Sequence, residues 1–396
     1  MAPEHPGHDL DLAQAVEVAF RDTFGRPPRG RYRAPGRVNL IGEHTDYNDG
    51  FVLPMAIDRA VWLAATPRDD RHVNLVALSL GPGTHGTFSL DGLAPEPGAP
   101  WSNYVRGVLS VIEGRGHPLS GLDIVYDGDV PIGAGLSSSA AVEVAVATAA
   151  NDLFGLGLAD LALARICQEA EHTFAGTQCG LMDQLISVAG QEGHALLIDC
   201  RSFEWYPVPL PADTSVVVCD TGKRRGLTNS AYNERRAQCE EAARRLGVAA
   251  LRALDVEAFE ARAGELPPLL RKRARHVVHE NDRTVRAAAA LRDGDVAAFG
   301  QLMNRSHASL RDLYEVSSDE LDIMAALAQA QPGCHGARMT GGGFGGCAVA
   351  LVDDPHVASF VEKVAAIYQR QTRITPTLYV THASQGASAE SADQGL

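Results

Sequence analysis

The segment that most narrows the folding options is PIGAGLSSSAAVEVAVA, residues 131–147, which continues the strand-like run LDIVYDGDVP at 122–131. A strand that enters a glycine turn and leaves it as an Ala/Val helix implies a fold of mixed strands and helices. Gly133 and Gly135 permit the tight turn, and Ser137, Ser138 and Ser139 open the helix. Backbone N–H groups at such a helix start point outward, and the helix dipole adds partial positive charge, so the place suits an anion. Serine hydroxyls add ligands for Mg²⁺ or donors to phosphate. No lysine follows, so this is not a Walker A loop, and Ser138 stands where a dinucleotide fingerprint has its third glycine. A small-residue helix start packed tightly on a neighbour explains the same pattern, and the segment alone leaves both readings open.

Composition limits what the anion can be. The 396 residues allow two or three domains at about 150 residues each. Lys and Arg number 35 against 49 Asp and Glu, a net charge of −14. So acidic a chain is a poor binder of nucleic acid or anionic membrane, which need clustered positive charge. The positive potential for an anionic ligand must therefore be local. Seven scattered cysteines, none spaced C-x-x-C, suggest neither a zinc site nor a disulfide framework and predict reduced thiols. The N-terminus has no basic and apolar leader pattern, and the apolar stretch at 136–158 is broken by Glu143, Asn151 and Asp152. A soluble, cytoplasmic protein acting on small molecules is the expectation.

Helix patterns fall at 9–26, from Trp101 onward, and at 137–154 and 158–174; strand patterns fall at 51–66, 72–79, 194–211, 346–353 and 373–381, with SVVVCDTG between. Strands and helices mix without regular βαβ alternation, which predicts α+β. Three prolines end the segment at 194–211, and the domain boundary is placed there: 9–205 and 212–383, with 384–396 as a disordered tail.

Two further segments carry chemistry. GRVNLIGEHTDYNDGFVLP (36–54) gathers Glu43, His44 and Asp46 in one turn after an apolar strand. Carboxylates and an imidazole this close suit recognition of neighbouring sugar hydroxyls, although N-D-G is also a plain turn signal. TGGGFGGCAVALV (340–352) holds five glycines within six positions before an apolar strand. That is either a flexible hairpin or a loop whose backbone approaches a ligand, and the amides at 341–346 are candidates for positive potential around a phosphate.

In this order and spacing, the three segments resemble the three motifs of the GHMP kinases, and GRVNLIGEHTDYNDG is similar to the signature that separates galactokinases from the rest of that group. The likeness runs from about Phe24 to Thr381. It implies the two-domain α+β fold of that superfamily with the active site in the inter-domain cleft. It also implies transfer of phosphate from ATP to the anomeric hydroxyl of α-D-galactose, giving galactose 1-phosphate and ADP, the first step of the Leloir pathway.

The family pattern A-E-H-x-F-A-G-x-x-C-G-x-M-D-Q is matched by AEHTFAGTQCGLMDQ (170–184). The resemblance places Asp183 beside the anomeric hydroxyl with Arg37 as partner. A nearby guanidinium keeps such a carboxylate charged and stabilises a transferring phosphoryl group, and Asp183 acts either as base or as an orienting group. By the same resemblance Ser139 and Glu171 hold Mg²⁺, and residues 133–139 (Gly133, Ala134, Gly135, Leu136, Ser137, Ser138, Ser139) bind ATP with Trp101 lining the adenine side. Glu43, His44, Thr45, Asp46, Asp183 and Tyr232 bind sugar. Galactose and ATP are the implied partners, with a monomer as the expected state and a homodimer as the alternative. A kinase for N-acetylgalactosamine or arabinose, or a non-catalytic galactose and ATP sensor, are the rival readings. Against the sensor, Ser139 and Ala140 are both present.

Overall fold

The computed structural model describes residues 7–223 and 228–391. The first part of the chain supplies α1 (Gly7–Phe24), β1 (Gly30–Asn39), β2 (Phe51–Val52), β3 (Pro54–Pro67), β4 (His72–Ala77) and β5 (His85–Ser89). It continues with α2 (Asn103–Gly114), β6 (Leu122–Gly128), α3 (Ser138–Leu153), α4 (Asp160–Ala170), α5 (Met182–Ala189), β7 (His194–Asp199) and β8 (Trp205–Pro209). Next come β9 (Thr214–Asp220), α6 (Thr228–Arg245), α7 (Val256–Arg262), α8 (Pro268–Arg292), α9 (Val296–Ser309) and α10 (Asp319–Gln329). β10 (Cys334–Thr340), β11 (Cys347–Asp353), α11 (Val357–Thr372), β12 (Thr377–Thr381) and β13 (Ser388–Ser391) complete the described chain.

Three sheets form among the described residues, ordered β13-β1-β3-β6-β4-β5, β2-β7-β8 and β10-β11-β9-β12. Pairing is antiparallel except between β4 and β6, in keeping with the α+β expectation. β8 and β9, on either side of the expected boundary, belong to different sheets. β3 shows why the first sheet is layered. Its residues alternate faces: Trp62 and Ala64 meet Val16 and Phe20 of α1, while Leu63 and Ala65 join a larger core with α3, α4 and α5. Val16 and Phe20 are four apart, one stripe of a helix. That larger core runs on through Val216, Val218, Phe299 and Cys347, so the first and last sheets share apolar packing.

The expected disordered tail is corrected in part. Residues 388–391 pair antiparallel with Arg33 back to Gly30, and Ser384, Gly386 and Ala387 donate backbone hydrogen bonds to Ala56, Gly190 and Ser187. Small side chains let this segment lie close on β1 and α5, and its backbone groups satisfy an otherwise open strand edge. Residues 392–396 lie outside the described ones. β5, β10 and β13 are strands that periodicity did not reveal: β5 and β13 are short, and β10 is interrupted by His335, Gly336 and Arg338.

The key local feature is a bulge in β1. Pairing with β3 shifts register between Pro35 and Arg37, where proline's missing N–H is tolerated. Arg37 N then donates to Leu136 O at 3.0 Å, and Ser187 Oγ of α5 donates to Pro35 O at 2.7 Å. One bulge therefore docks both the phosphate-type turn and α5. Gly36 makes this approach possible, because a Cβ there would stand 2.8 Å from Leu136 O and 2.9 Å from Val130 Cγ1. Gly36→Ala is expected to push the turn off β1, lowering Tm by several °C in calorimetry and raising KM for ATP in the same preparation.

Candidate active site

The glycine turn before α3 is a tight backbone reversal. Gly133, Gly135 and Ser137 all have positive φ (76°, 82° and 60°), so the chain reverses tightly into the helix that starts at Ser138. Ser137, a serine in a left-handed conformation, is held by its side chain, whose hydroxyl donates to Asp183 Oδ2. The Ala134 and Leu136 side chains are buried and anchor the turn, and Ala134 O accepts from Cys347 Sγ at 2.9 Å.

Asp183 sits in the first turn of α5 and is bound by three donors. Arg37 Nε reaches Oδ1 at 2.7 Å and Arg37 Nη2 reaches Oδ2 at 2.5 Å, with the Ser137 hydroxyl also on Oδ2. The third Arg37 nitrogen donates to Gly135 O at 2.6 Å. Burial alone would weaken the guanidinium charge, but Asp183, Glu43 and Asp46 outweigh it and hold Arg37 above its usual pKa. This bidentate pair therefore touches the anion turn on one side and, on the other, a cavity of about 210 Å³.

Arg37, Glu43, His44, Asp46, Asp183 and Tyr232 line that cavity, together with Gly341 to Phe344 and residues 176–180. Five of the six expected sugar-binding residues are thus brought together. Thr45 is not: it is fully buried and its hydroxyl donates to Gly42 O at 2.9 Å and Phe51 O at 2.7 Å, so its side chain braces the turn. The glycine loop between β10 and β11 also departs from expectation. Gly341 N and Thr340 Oγ1 donate to Glu43 Oε1 at 2.8 and 3.1 Å, which seats the loop over the sugar-type cavity. Gly180 closes the opposite wall, where a Cβ would fall 2.0 Å from Asp46 Oδ2. Trp101 stands apart from the cavity, partly buried against the core, its ring 3.7 Å from where a Cβ would stand at Gly86.

Electrostatics inside the cavity are unusual for surface-type residues. Burial pushes His44 down to about 3, so the imidazole is neutral. Enclosure, then the charges of Asp183 and Glu43, push Asp46 up to about 6. Glu171 lies on a wide helical turn at 171–175, its Oε1 accepting from Ser139 Oγ at 3.3 Å and its Oε2 from Gln184 Nε2 at 2.7 Å. Burial and then Asp183 raise its pKa, as a cation here would reverse. Among the described residues no group of three or more His, Cys, Asp or Glu forms a metal cage. One carboxylate and one hydroxyl at the start of α3 nevertheless fit Mg²⁺, which takes a few protein oxygens and completes its shell with water and phosphate.

Several contributors escaped local pattern reading. Glu280 Oε1 of α8 accepts from Gly42 N at 3.1 Å, and His276 Nε2 lies 3.2 Å from Glu43 O, so α8 supports the turn from below. Both are more than 200 residues away in sequence and carry no motif. Tyr47 was visible inside the signature, and its neighbour Tyr314 was not.

Comparison with known proteins decides the family. The galactokinase galactose-binding signature matches residues 18–67, the GHMP kinases N-terminal domain residues 103–191, and the GHMP kinases C-terminal domain residues 287–370. A galactokinase from Roseiflexus sp. (strain RS-1) is 51% identical over 382 residues, spanning 95% of this chain and 97% of its own. The chain belongs to the galactokinase family. A galactokinase from Chloroflexus aggregans (strain MD-66 / DSM 9485) is 50% identical over 378 residues, spanning 94% of this chain and 96% of its own. The solved structure of Lactococcus lactis galactokinase with galactose superposes with a TM-score of 0.91 at 38% identity, covering 95% of this chain and 99% of that one. Methanococcus jannaschii mevalonate kinase, at 17% identity and a TM-score of 0.62 over 90% of this chain and 98% of its own, shares the fold. This galactokinase-family chain is a GHMP kinase, and ATP is its phosphate donor.

The raised Asp46 makes a signed prediction. An acid whose folded pKa is raised favours folding below its unfolded value near 4, and that contribution is lost as pH rises through about 6. Asp46→Asn should therefore raise Tm above wild type at pH 7.5 with little gain at pH 4, while galactose KM rises. Calorimetry at both pH values and steady-state kinetics check the two halves.

Proposed function

We propose that this chain transfers the γ-phosphoryl group of ATP to the C1 hydroxyl of α-D-galactose, giving α-D-galactose 1-phosphate and ADP, the step that admits galactose to the Leloir pathway. The observation that carries the reading is the Arg37–Asp183 pair, which borders the hydroxyl-binding cavity and the anion turn at once. The reacting hydroxyl and the phosphoryl group must meet at such a border.

Glu43 and Asp46 accept from sugar hydroxyls, and Tyr232 supplies an apolar wall with a hydroxyl at its edge. His44 and Tyr232 lie ring against ring at 5.6 Å, which fixes the cavity's floor. The anomeric hydroxyl donates to Asp183, which orients an oxygen lone pair toward phosphorus. Phosphoryl transfer is loose, so little activation is needed early. As the new O–P bond forms, the hydroxyl proton becomes acidic and passes to Asp183, whose guanidinium partner offsets the charge shift. The amides of the turn at 133–139 and the α3 dipole hold phosphate oxygens, and Arg37 adds positive charge where the transferring group becomes electron-rich.

Ser139 and Glu171 are the residues that would hold Mg²⁺, which when bound neutralises phosphate charge. Trp101 on the adenine side remains part of the proposal, supported by the family likeness alone. Five of the seven cysteines are buried and all are free, which suits a reducing compartment; we place the enzyme in the cytoplasm, as a monomer.

Asp183→Asn, which keeps a hydrogen-bond acceptor for Arg37 while removing the carboxylate, should lower kcat on galactose by about 10²–10⁴-fold with galactose binding largely kept, read by coupled ADP release. A kcat within a few-fold of wild type would reject the mechanism. The same assay across galactose, N-acetylgalactosamine, arabinose and mevalonate separates the galactose reading from its rivals, and binding of both substrates without ADP release would identify a sensor.

A further inference from the structure

We infer that a largely buried chain of side chains, Cys239–Tyr314–Tyr47, holds His44 in the tautomer that presents an Nε2–H donor to the sugar cavity, making Tyr47 and Tyr314 positioning residues for sugar selection. The inference rests on the reading of this cavity as the sugar site.

The links are continuous. His44 Nδ1 lies 2.7 Å from the Tyr47 hydroxyl, that hydroxyl 2.8 Å from the Tyr314 hydroxyl, and the latter 3.1 Å from Cys239 Sγ. His44 is 4% exposed, Tyr314 and Cys239 are fully buried and Tyr47 is half-buried, so three of the four members are shielded from water. Their placement is tight. Tyr314 ends a wide helical turn at 310–314, its carbonyl accepting from Arg235 Nε at 2.9 Å and its ring flanked by His276 at 4.5 Å and His44 at 4.8 Å. His44 itself has φ 62°, a conformation that the turn must hold in place.

A chain of neutral hydroxyls has two possible directions. In one, His44 Nδ1–H donates to Tyr47 and the chain ends on the thiol sulfur. In the other, the thiol donates to Tyr314, Tyr314 to Tyr47, and Tyr47 to Nδ1. Sulfur is a weak acceptor and an imidazole nitrogen a strong one, so the second direction ends the chain where acceptance is best. Nδ1 then has no proton, and Nε2 must carry it. Nε2 is buried with no side-chain hydrogen-bond partner among the described residues, in a side chain that lines the cavity beside the Gly342 backbone. Burial keeps the ring neutral, so it holds one proton, and the chain decides where.

The consequence is selection. Glu43 and Asp46 offer acceptors, and three of the five Arg37 N–H donors are committed to Asp183 and Gly135. A buried Nε2–H is the complement, a donor for a hydroxyl oxygen at a fixed place. A sugar lacking that hydroxyl, or carrying it in the other configuration, leaves the donor unpaired, which is how a polar site rejects near-isosteres.

Long-range ¹H–¹⁵N correlation spectra of full-length, ¹⁵N-histidine-labelled protein test the idea, with the His44 signals identified by their loss in His44→Gln. The expected result without sugar is the Nε2–H pattern in wild type and a tautomer mixture in Tyr47→Phe. Tyr47→Phe and Tyr314→Phe should each raise galactose KM about five- to twenty-fold, with kcat and the ATP KM within about twofold. An Nδ1–H pattern in wild type overturns the inference, as do both variants keeping wild-type tautomer and KM. The wild-type spectrum decides the tautomer even if a variant does not fold. If galactose leaves the His44 signals unmoved, the sugar-site reading fails and selection with it, whereas the sugar-free spectrum still judges the relay.

Discussion

Almost everything in the site leans on one buried ion pair. Arg37 is 6% exposed and gives three donors, two to Asp183 and one to the anion turn. A buried charge without its partner costs several kcal/mol, so neither residue tolerates loss of the other. The pair therefore welds three elements that are far apart in sequence: the β1 bulge, the turn before α3, and the start of α5. The Asp183 carboxylate, the proposed base, is placed by the same contacts that hold these elements together. Stability and chemistry are hard to separate here, because the desolvation that makes Arg37 costly to bury also strengthens its pull on a transferring phosphoryl group.

An acidic protein binding an anionic nucleotide is no contradiction once charge is considered locally. The −14 is spread over the whole chain, whereas the proposed cradle draws on backbone amides, a helix dipole and a single guanidinium. The second half of the site is built on the opposite principle. Its acceptors, Glu43 and Asp46, crowd with Asp183, and the crowding raises the pKa of Asp46. α8 holds their turn through Glu280 and His276, and the glycine loop caps it through Glu43.

Legibility followed locality. The anion turn, the Glu43–His44–Asp46 turn and the 170–184 segment were readable because each concentrates its chemistry within a few consecutive residues. The same locality misled at Thr45, whose neighbours face the cavity while its own hydroxyl is committed to Gly42 O and Phe51 O. At the glycine loop it could not show that the Gly341 amide is taken by Glu43. The polar, small-residue end of the chain read as disorder, because composition cannot show that an unpaired strand edge is waiting for it.

What the sequence by itself determined was the set of chemical parts, the family they belong to and the strand–turn–helix frame that makes an anion site, since these depend on residue type and spacing along the chain. What only the tertiary structure decided was which parts meet: Arg37 with Asp183 across 146 positions, Tyr47 with Tyr314 across 267, and Gly42 with Glu280 across 238. Those contacts arise where sheets and helices from distant parts of the chain pack on one another, and no local period encodes a distance between residues that the chain itself keeps hundreds of positions apart.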